Sequence, residues 1–304
     1  RFSYRLHSII GGPSTSPHAN INYYLKDIPS GPVTITILDP QGQVVDTMTG
    51  TRNPGINRVR WNLRYPGARQ TKLRTKPEGN PHVVEEKRFY ETWIREGWYP
   101  LMSWGAFAGF RGFTAAPGEY TVKLKAGGQE FTRTLEIRKD PHSEGTALDI
   151  EKLVAMQMKV REGLNLVSDM ISKIEWMRRQ CLDLKDVLQA GQNQTALLRN
   201  LDHFNDKLKA VEDDLFQPII AEGDTKSFRN PQKLYFKLSV LAEDLAKNVD
   251  FAPNQQQQEV YQVLKERLIA NKARFDELIR TDLPDLNTLL KENQIDGIVV
   301  PDIH

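Results

Sequence analysis

The sequence predicts a chain in two parts, an immunoglobulin-like β-sandwich followed by an antiparallel up-and-down helical bundle, and three observations lead there. Apolar residues alternate with period two between residues 20 and 140 and follow helical spacing from 146 onward, the patterns of half-buried strands and of amphipathic helices. The charge changes sign at the same place: residues 1 to 145 carry 20 Lys and Arg against 13 Asp and Glu, and residues 146 to 304 carry 21 against 26. Finally, 304 residues suffice for two domains at roughly 100 to 200 residues each.

The strands come first. Ile21, Tyr23 and Leu25 share one face, and Val33, Ile35 and Ile37 share a face of the next strand. Asp39-Pro40-Gln41-Gly42 then reverses the chain, since Pro fixes φ where a turn starts and Gly accepts the positive φ that closes it. A third strand is expected over 43 to 49, and Val59, Trp61 and Leu63 alternate with polar residues in a fourth. Tyr120, Val122 and Leu124 lead through Ala126-Gly127-Gly128-Gln129 into Phe131, Leu135 and Ile137, which reads as a β-hairpin. Six or seven short strands with Gly/Pro turns argue for the sandwich.

One insertion, residues 64 to 112, is far longer than ordinary strand connections. Its first part is basic. Its second, with Phe113 just after it, holds Phe89, Tyr90, Trp93, Trp98, Tyr99, Trp104, Phe107 and Phe110, a density that argues against disorder, and the spacing of Phe89 and Trp93 suits a short helix over 85 to 96.

The helices start at Thr146, where Thr146 and Asp149 resemble a capping box with Asp in place of Glu. Leu153, Met156, Val160, Val167, Met170, Ile174, Met177, Cys181, Leu184 and Leu188 follow spacings of three and four, with Gly163 in the one gap of the seam. Gly191 and Asn193 end this long helix, and a second carries Leu197, Leu201, Phe204, Leu208, Val211 and Leu215 to Pro218. Asn230-Pro231 predicts a third start, with Leu234, Leu238, Leu241 and Leu245 on one face. Asn254 caps a fourth helix bearing Val260, Leu264, Leu268, Phe275 and Leu278, and Pro284 opens a short last one with Leu286, Leu289 and Leu290. The helical bundle is therefore assigned to residues 146 to 304.

Composition and motifs exclude several function classes. Gly 20 and Pro 17 are too few for a low-complexity chain, and no apolar run reaches the roughly 18 residues that a membrane span needs. One cysteine, Cys181, rules out an internal disulfide framework and a cysteine-rich zinc site; it lies on a helical seam, as a small buried apolar residue does. The six histidines have no metal-ligand spacing, and His203 reads as a surface or packing residue. Gly11-Gly12 lacks the rest of a phosphate loop. No cofactor and no metal are expected. The run Arg52, Arg58, Arg60, Arg64, Arg69, Lys72, Arg74 and Lys76 contains no acid and offers an anion surface, but solvated strand residues facing an acidic second domain explain it better than nucleic acid does.

The aromatic insertion is the most informative local signal. Trp93, Trp98, Tyr99 and Trp104 with Glu91, Arg95 and Glu96 suit a glycan or protein contact, because sugar rings stack on Trp faces while carboxylates and guanidinium groups bond hydroxyls. Glu91 and Glu96, five residues apart on a helix, point in different directions and make a poor glycosidase pair.

Several stretches together resemble the C-terminal region of secreted bacterial sortilin-like, BNR-repeat β-propeller proteins, often labelled glycosyl hydrolases: INYYLKDIPSGPVTITILDPQGQVV (21 to 45), GINRVRWNLRYPG (55 to 67), PGEYTVKL (117 to 124), KLSVLAEDL (237 to 245) and TDLPDLNTLL (281 to 290). The insertion and the long first helical hairpin depart from that pattern. The resemblance implies export (periplasmic, cell-surface or secreted), and an upstream propeller as partner, with residues 1 to 19 as the connector. Arg1-Phe2-Ser3-Tyr4-Arg5 has neither an initiator Met nor an apolar signal core, so a processing site or a cut from a longer protein is expected. The expected function is a non-catalytic interaction and scaffolding region, partnered by the propeller and by another protein or a glycan. The alternative is the accessory region of a carbohydrate-active enzyme, contributing glycan contacts through the insertion.

Overall fold

The computed structural model describes residues 18–75, 99–100, 112–189, 195–217 and 231–302. The fold is mixed, antiparallel sheets plus helices. The chain divides into two compact units, Arg1–Tyr65 with Thr114–Asp140, and Pro66–Phe113 with Pro141–His304. The strands in chain order are β1 (Ala19–Leu25), β2 (Val33–Leu38), β3 (Val44–Gly50), β4 (Gly55–Trp61), β5 (Lys72–Leu73), β6 (Tyr99–Pro100), β7 (Gly118–Ala126) and β8 (Gln129–Ile137).

The first unit holds two antiparallel sheets, one pairing β1 with β4 and one in the order β3-β2-β7-β8. Alternation decides which side is buried: Val33, Ile35 and Ile37 are fully buried, while Thr34 and Thr36 between them are half-buried. Across the β1–β4 pair, Tyr23 and Leu25 are buried and Tyr24 faces water opposite Ile56. Trp61 of β4 and Tyr120 of β7, one from each sheet, meet with ring centroids 5.5 Å apart. The Tyr120 hydroxyl donates to the carbonyl of Ala116 at 2.9 Å. At the 39–42 turn, the Asp39 carboxylate accepts from the Gln41 and Gln43 N–H groups at 3.0 and 2.8 Å, and Gly42 takes φ +80°. Asp39 is therefore buried yet bonded.

Two strand details differ from expectation. Val59, Trp61 and Leu63 do not share one face, because β4 stops at Trp61 and Leu63 adopts φ +57°, a left-handed conformation that costs a branched residue energy. The turn is held by Ala115 N–H donating to Leu63 O at 2.8 Å and by Trp61 Nε1–H donating to Arg64 O at 3.2 Å. In β8, Phe131 stays half exposed, as an edge strand allows.

In the second unit the helices are α1 (Ala147–Gln189), α2 (Thr195–Leu215), α3 (Leu234–Ala246), α4 (Gln255–Glu277), a π-helical turn Leu278–Asp282, and α5 (Leu283–Glu292). The Thr146 box forms as read: Asp149 accepts from Thr146 N–H at 3.0 Å, and Asp149 N–H donates back to Thr146 Oγ1 at 3.1 Å. Asn254 and Gln257 form a second, reciprocal box. Val160, Val167, Ile174, Met177 and Leu208 are fully buried in one core shared by the helices.

Helix α3 starts later than Asn230-Pro231 suggested; Lys233 is its N-cap, in extended conformation and without a side-chain cap. Val260, expected in the core, is 47% exposed. The buried stripe of α4 instead runs through Gln257, Leu264, Leu268, Asn271 and Phe275, two of them polar. Gln257 is satisfied by Asp244 at 2.7 Å, and Asn271 Nδ2 donates to the Arg267 carbonyl at 3.0 Å. After α5 the chain is clipped by two amide side chains acting as backbone mimics. Asn287 exchanges both hydrogen bonds with Ile298, at 2.9 and 2.7 Å, and Gln180 does the same with Val299, at 2.9 Å each.

Candidate functional site

Trp93, Trp98, Trp104, Glu91, Arg95 and Glu96 lie outside the described residues. Of Tyr99 the backbone is described: it pairs with Leu73, and Pro100 pairs with Lys72. The second half of the insertion thus returns to its first half at β5.

That first half lies along α1 as an extended strap. Polar side chains at Asn165, Ser168, Asp169, Ser172 and Glu175 recur at spacings of three, one, three and three, forming a stripe on one side of the helix. Each finds a donor or acceptor in the strap. Arg69 N–H donates to Asn165 Oδ1 at 2.7 Å and Arg69 Nε to Asp169 at 2.9 Å. Thr71 bonds Ser168 at 3.0 Å, and Lys72 N–H donates to Ser172 Oγ at 3.2 Å. Glu175 receives the most: the N–H groups of Arg74 and Thr75, the latter at 2.6 Å, and the Thr75 hydroxyl at 2.8 Å. Leu73 sits between them, buried in the helical core, and the Arg74 guanidinium lies 4.4 Å from the Trp176 ring centre. Outside the short β5–β6 pairing, an extended segment beside a helix has no ladder to satisfy its backbone, so side chains supply it.

Below the strap lies a buried ionic cluster. Arg178 pairs with Glu212 and stands 3.6 Å from Glu175; Glu175 and Glu212 are sealed from water. One guanidinium faces two carboxyls in a low-dielectric interior. Burial first, and the neighbouring Glu175 second, push the Glu212 carboxyl well above its usual range. As a carboxylate, Glu212 Oε1 has no donor; protonated, it becomes a donor itself, with Glu175 as the adjacent acceptor.

This cluster has the ingredients of acid–base chemistry without access to a substrate. Farther along α1, a cavity lined by Ala68, Phe113, Gln157, Arg161, Leu164 and Ala242 holds about 30 Å3, room for a water rather than an organic ligand. Cys181 is buried, and burial raises its thiol to about 12, which removes the thiolate that nucleophilic attack needs. Among the described residues no group of three or more His, Cys, Asp or Glu side chains is placed to hold a metal ion, and no helix is long and apolar enough to cross a membrane.

Sequence reasoning passed over Glu175, Arg178 and Glu212. A signal for them existed: Ser168, Ser172 and Glu175 repeat at helical spacing beside the apolar seam, where a second partner surface is implied. No family model, no curated protein and no solved structure matches the chain.

Proposed function

We propose that this chain is a non-catalytic interaction and scaffolding region, in which the first unit is an immunoglobulin-like sandwich and the second an up-and-down helical bundle. The sandwich reading draws support from the two-sheet strand order and from Tyr120, whose hydroxyl bonds a backbone carbonyl four residues upstream near the start of its strand, in the manner of a tyrosine corner. The bundle reading draws support from the single apolar core that α1 to α5 share.

The observation that most favours a scaffold is the use made of the second unit's buried acids. Glu175 binds the strap's donors and Glu212 bonds Arg178, so these buried acids hold one segment of chain to another. Perturbed groups at catalytic sites line a cleft instead. The stretches at 21 to 45, 55 to 67, 117 to 124, 237 to 245 and 281 to 290 support placement in an exported protein after a sortilin-like propeller, which would be its partner.

A direct test measures glycoside turnover by the purified chain. The proposal expects none. Turnover abolished by Glu91→Gln or Glu96→Gln would replace it with the carbohydrate-active reading. Trp98→Ala and Trp104→Ala are expected to weaken association with a propeller partner or glycan while leaving the thermal midpoint in place.

A further inference from the structure

Two furrows between α3 and α4 run into one another. The first, of about 460 Å3, is lined by Phe236, Val240, Leu241, Val260 and Leu264 on its apolar side. The second, of about 420 Å3, is lined by Lys233, Lys237, Arg267 and Arg274, with Asp214. Gln232 and Lys237 border both, so the two make one continuous surface, cationic at one end and apolar along the other. Glu243, Asp244 and Lys247 also line the apolar furrow.

Both halves are open to water. Val240 and Val260 are 44% and 47% exposed, side by side in the furrow rather than scattered. The cations matter for where they gather. Some lysines of the helical unit are paired, Lys185 with Asp202, Lys207 with Asp282, Lys209 with Asp213 and Lys272 with Asp276, and others are not, but this furrow brings several cations to one place. Among the described residues, Lys233, Lys237 and Arg267 form no ion pair, although residues 146 to 304 carry more acids than bases. Only Arg274 is paired, with Asp214. Three charges kept apart from the acids nearby create a local positive potential.

We propose that this surface binds an acidic amphipathic peptide segment of a partner protein, its apolar side chains on Val240 and Val260 and its carboxylates on Lys233, Lys237 and Arg267. The spacing favours a chain over a small anion: at 1.5 Å per helical residue, Lys233 to Lys237 covers about 6 Å and Arg267 to Arg274 about 10 Å, longer than one carboxylate or phosphate. The apolar half favours a peptide over a nucleic acid. Single strands bind by stacking bases on aromatic rings beside the charges, and the one aromatic among the described residues that line the furrow, Phe236, lies in its apolar half. Apolar anchors flanked by charge are how an amphipathic helix enters a groove.

This assignment rests on the interaction reading, but the two fail separately: glycan turnover would overturn that reading without touching binding at the furrow. The test uses the full chain and fluorescein-labelled peptides of about fifteen residues with Leu at helical spacing, one carrying Glu and its counterpart Lys at the remaining positions. The Glu peptide should bind at least about tenfold tighter than the Lys peptide, and more weakly as salt rises. Lys233→Glu with Arg267→Glu, and separately Val240→Ser, should each lower its affinity about tenfold with helical content unchanged; if the charge-reversed chain fails to fold, Lys233→Gln with Arg267→Gln replaces it. Equal binding of the two peptides, or unchanged affinity in the folded variants, overturns the proposal. So does displacement of the Glu peptide by a single-stranded oligonucleotide of equal affinity, which would mark a general polyanion surface.

Discussion

Trp61 and Tyr120 lie against each other at 56°, their ring centroids 5.5 Å apart, and each also anchors a backbone carbonyl, Trp61 that of Arg64 and Tyr120 that of Ala116. Two rings from different sheets thus lock the chain on either side of the place where it leaves and re-enters the first unit, after Tyr65 and before Thr114. Tyr120→Phe keeps the ring contact and deletes only the hydroxyl. The variant should lose about 1 kcal/mol, the net worth of a typical hydrogen bond, seen as a lower urea midpoint at unchanged slope. An unchanged midpoint would mean that the corner bond holds nothing.

Two glycines should respond to alanine with opposite sign. At Gly163, in the middle of α1, an added Cβ comes no nearer to other side chains than 3.5 Å from Leu268 and 3.8 Å from Leu238, which is ordinary contact. Gly163→Ala should stabilise by about 1 kcal/mol, the helix-propensity difference. At Gly50 the same atom overlaps the Tyr23 hydroxyl and comes within 2.9 Å of Ile35, in a fully packed site. Gly50→Ala should cost about 1–3 kcal/mol. Thermal melts of both variants check the pair.

Glu212 and Glu175 should also diverge when each is replaced by Gln. Burial raises the Glu212 carboxyl in the folded chain, so folding takes up a proton there and the unfolded chain releases it more readily. The stabilisation is complete below the ordinary glutamate value of 4.5 and is lost as pH rises toward the folded value. Glu212→Gln mimics the neutral acid at every pH, so its stability relative to the native chain should improve as pH rises above that value. Glu175→Gln removes the carboxylate that accepts two N–H groups and a hydroxyl of the strap, and should cost about 1.5–3 kcal/mol at neutral pH. Urea titrations across the pH range separate the two; a Glu212→Gln difference that does not vary with pH would contradict the raised carboxyl.

Cys181 offers a probe of the same core. With its thiol buried and pushed up to about 12, it should resist iodoacetamide at neutral pH in the folded chain and react fully once unfolded. Rapid alkylation of the native chain would place the thiol at the surface.

The sequence made the large divisions legible because they are written in period. Val33, Ile35 and Ile37 alternate, Val160, Val167 and Ile174 recur every seven residues, and local chemistry such as the Thr146–Asp149 box depends on neighbours alone. What stayed hidden depends on partners far away in the chain. Val260 looked like a core residue because it is apolar and in phase, yet the stripe of α4 passes through Gln257 and Asn271, whose burial is paid for by Asp244 and a backbone carbonyl. Leu63 looked like the next inward residue of a strand that in fact ends two residues earlier. The basic run is expected to face an acidic second domain, but nothing local announces that residues 66 to 75 will lie on these acids of α1. Of the aromatic candidates, Tyr99 alone can be followed, and only through its backbone pairing.

The strap's partners on α1 lie 96 to 101 residues downstream, which matters during synthesis. A chain made from its N-terminus at roughly 5–20 residues per second exposes residues 69 to 75 for about 5–20 s before Asn165 to Glu175 exist. Through that interval Leu73 has no core to enter and the N–H groups of Arg69, Lys72, Arg74 and Thr75 have no helix to meet. The strands of the first unit that precede the strap are complete by then, but its last two, β7 and β8, are made while the strap still waits. Ribosome-bound chains halted near residue 150 should therefore be cut by protease within 66 to 75, and chains halted beyond Leu215, with α1 and α2 both made, should be protected there.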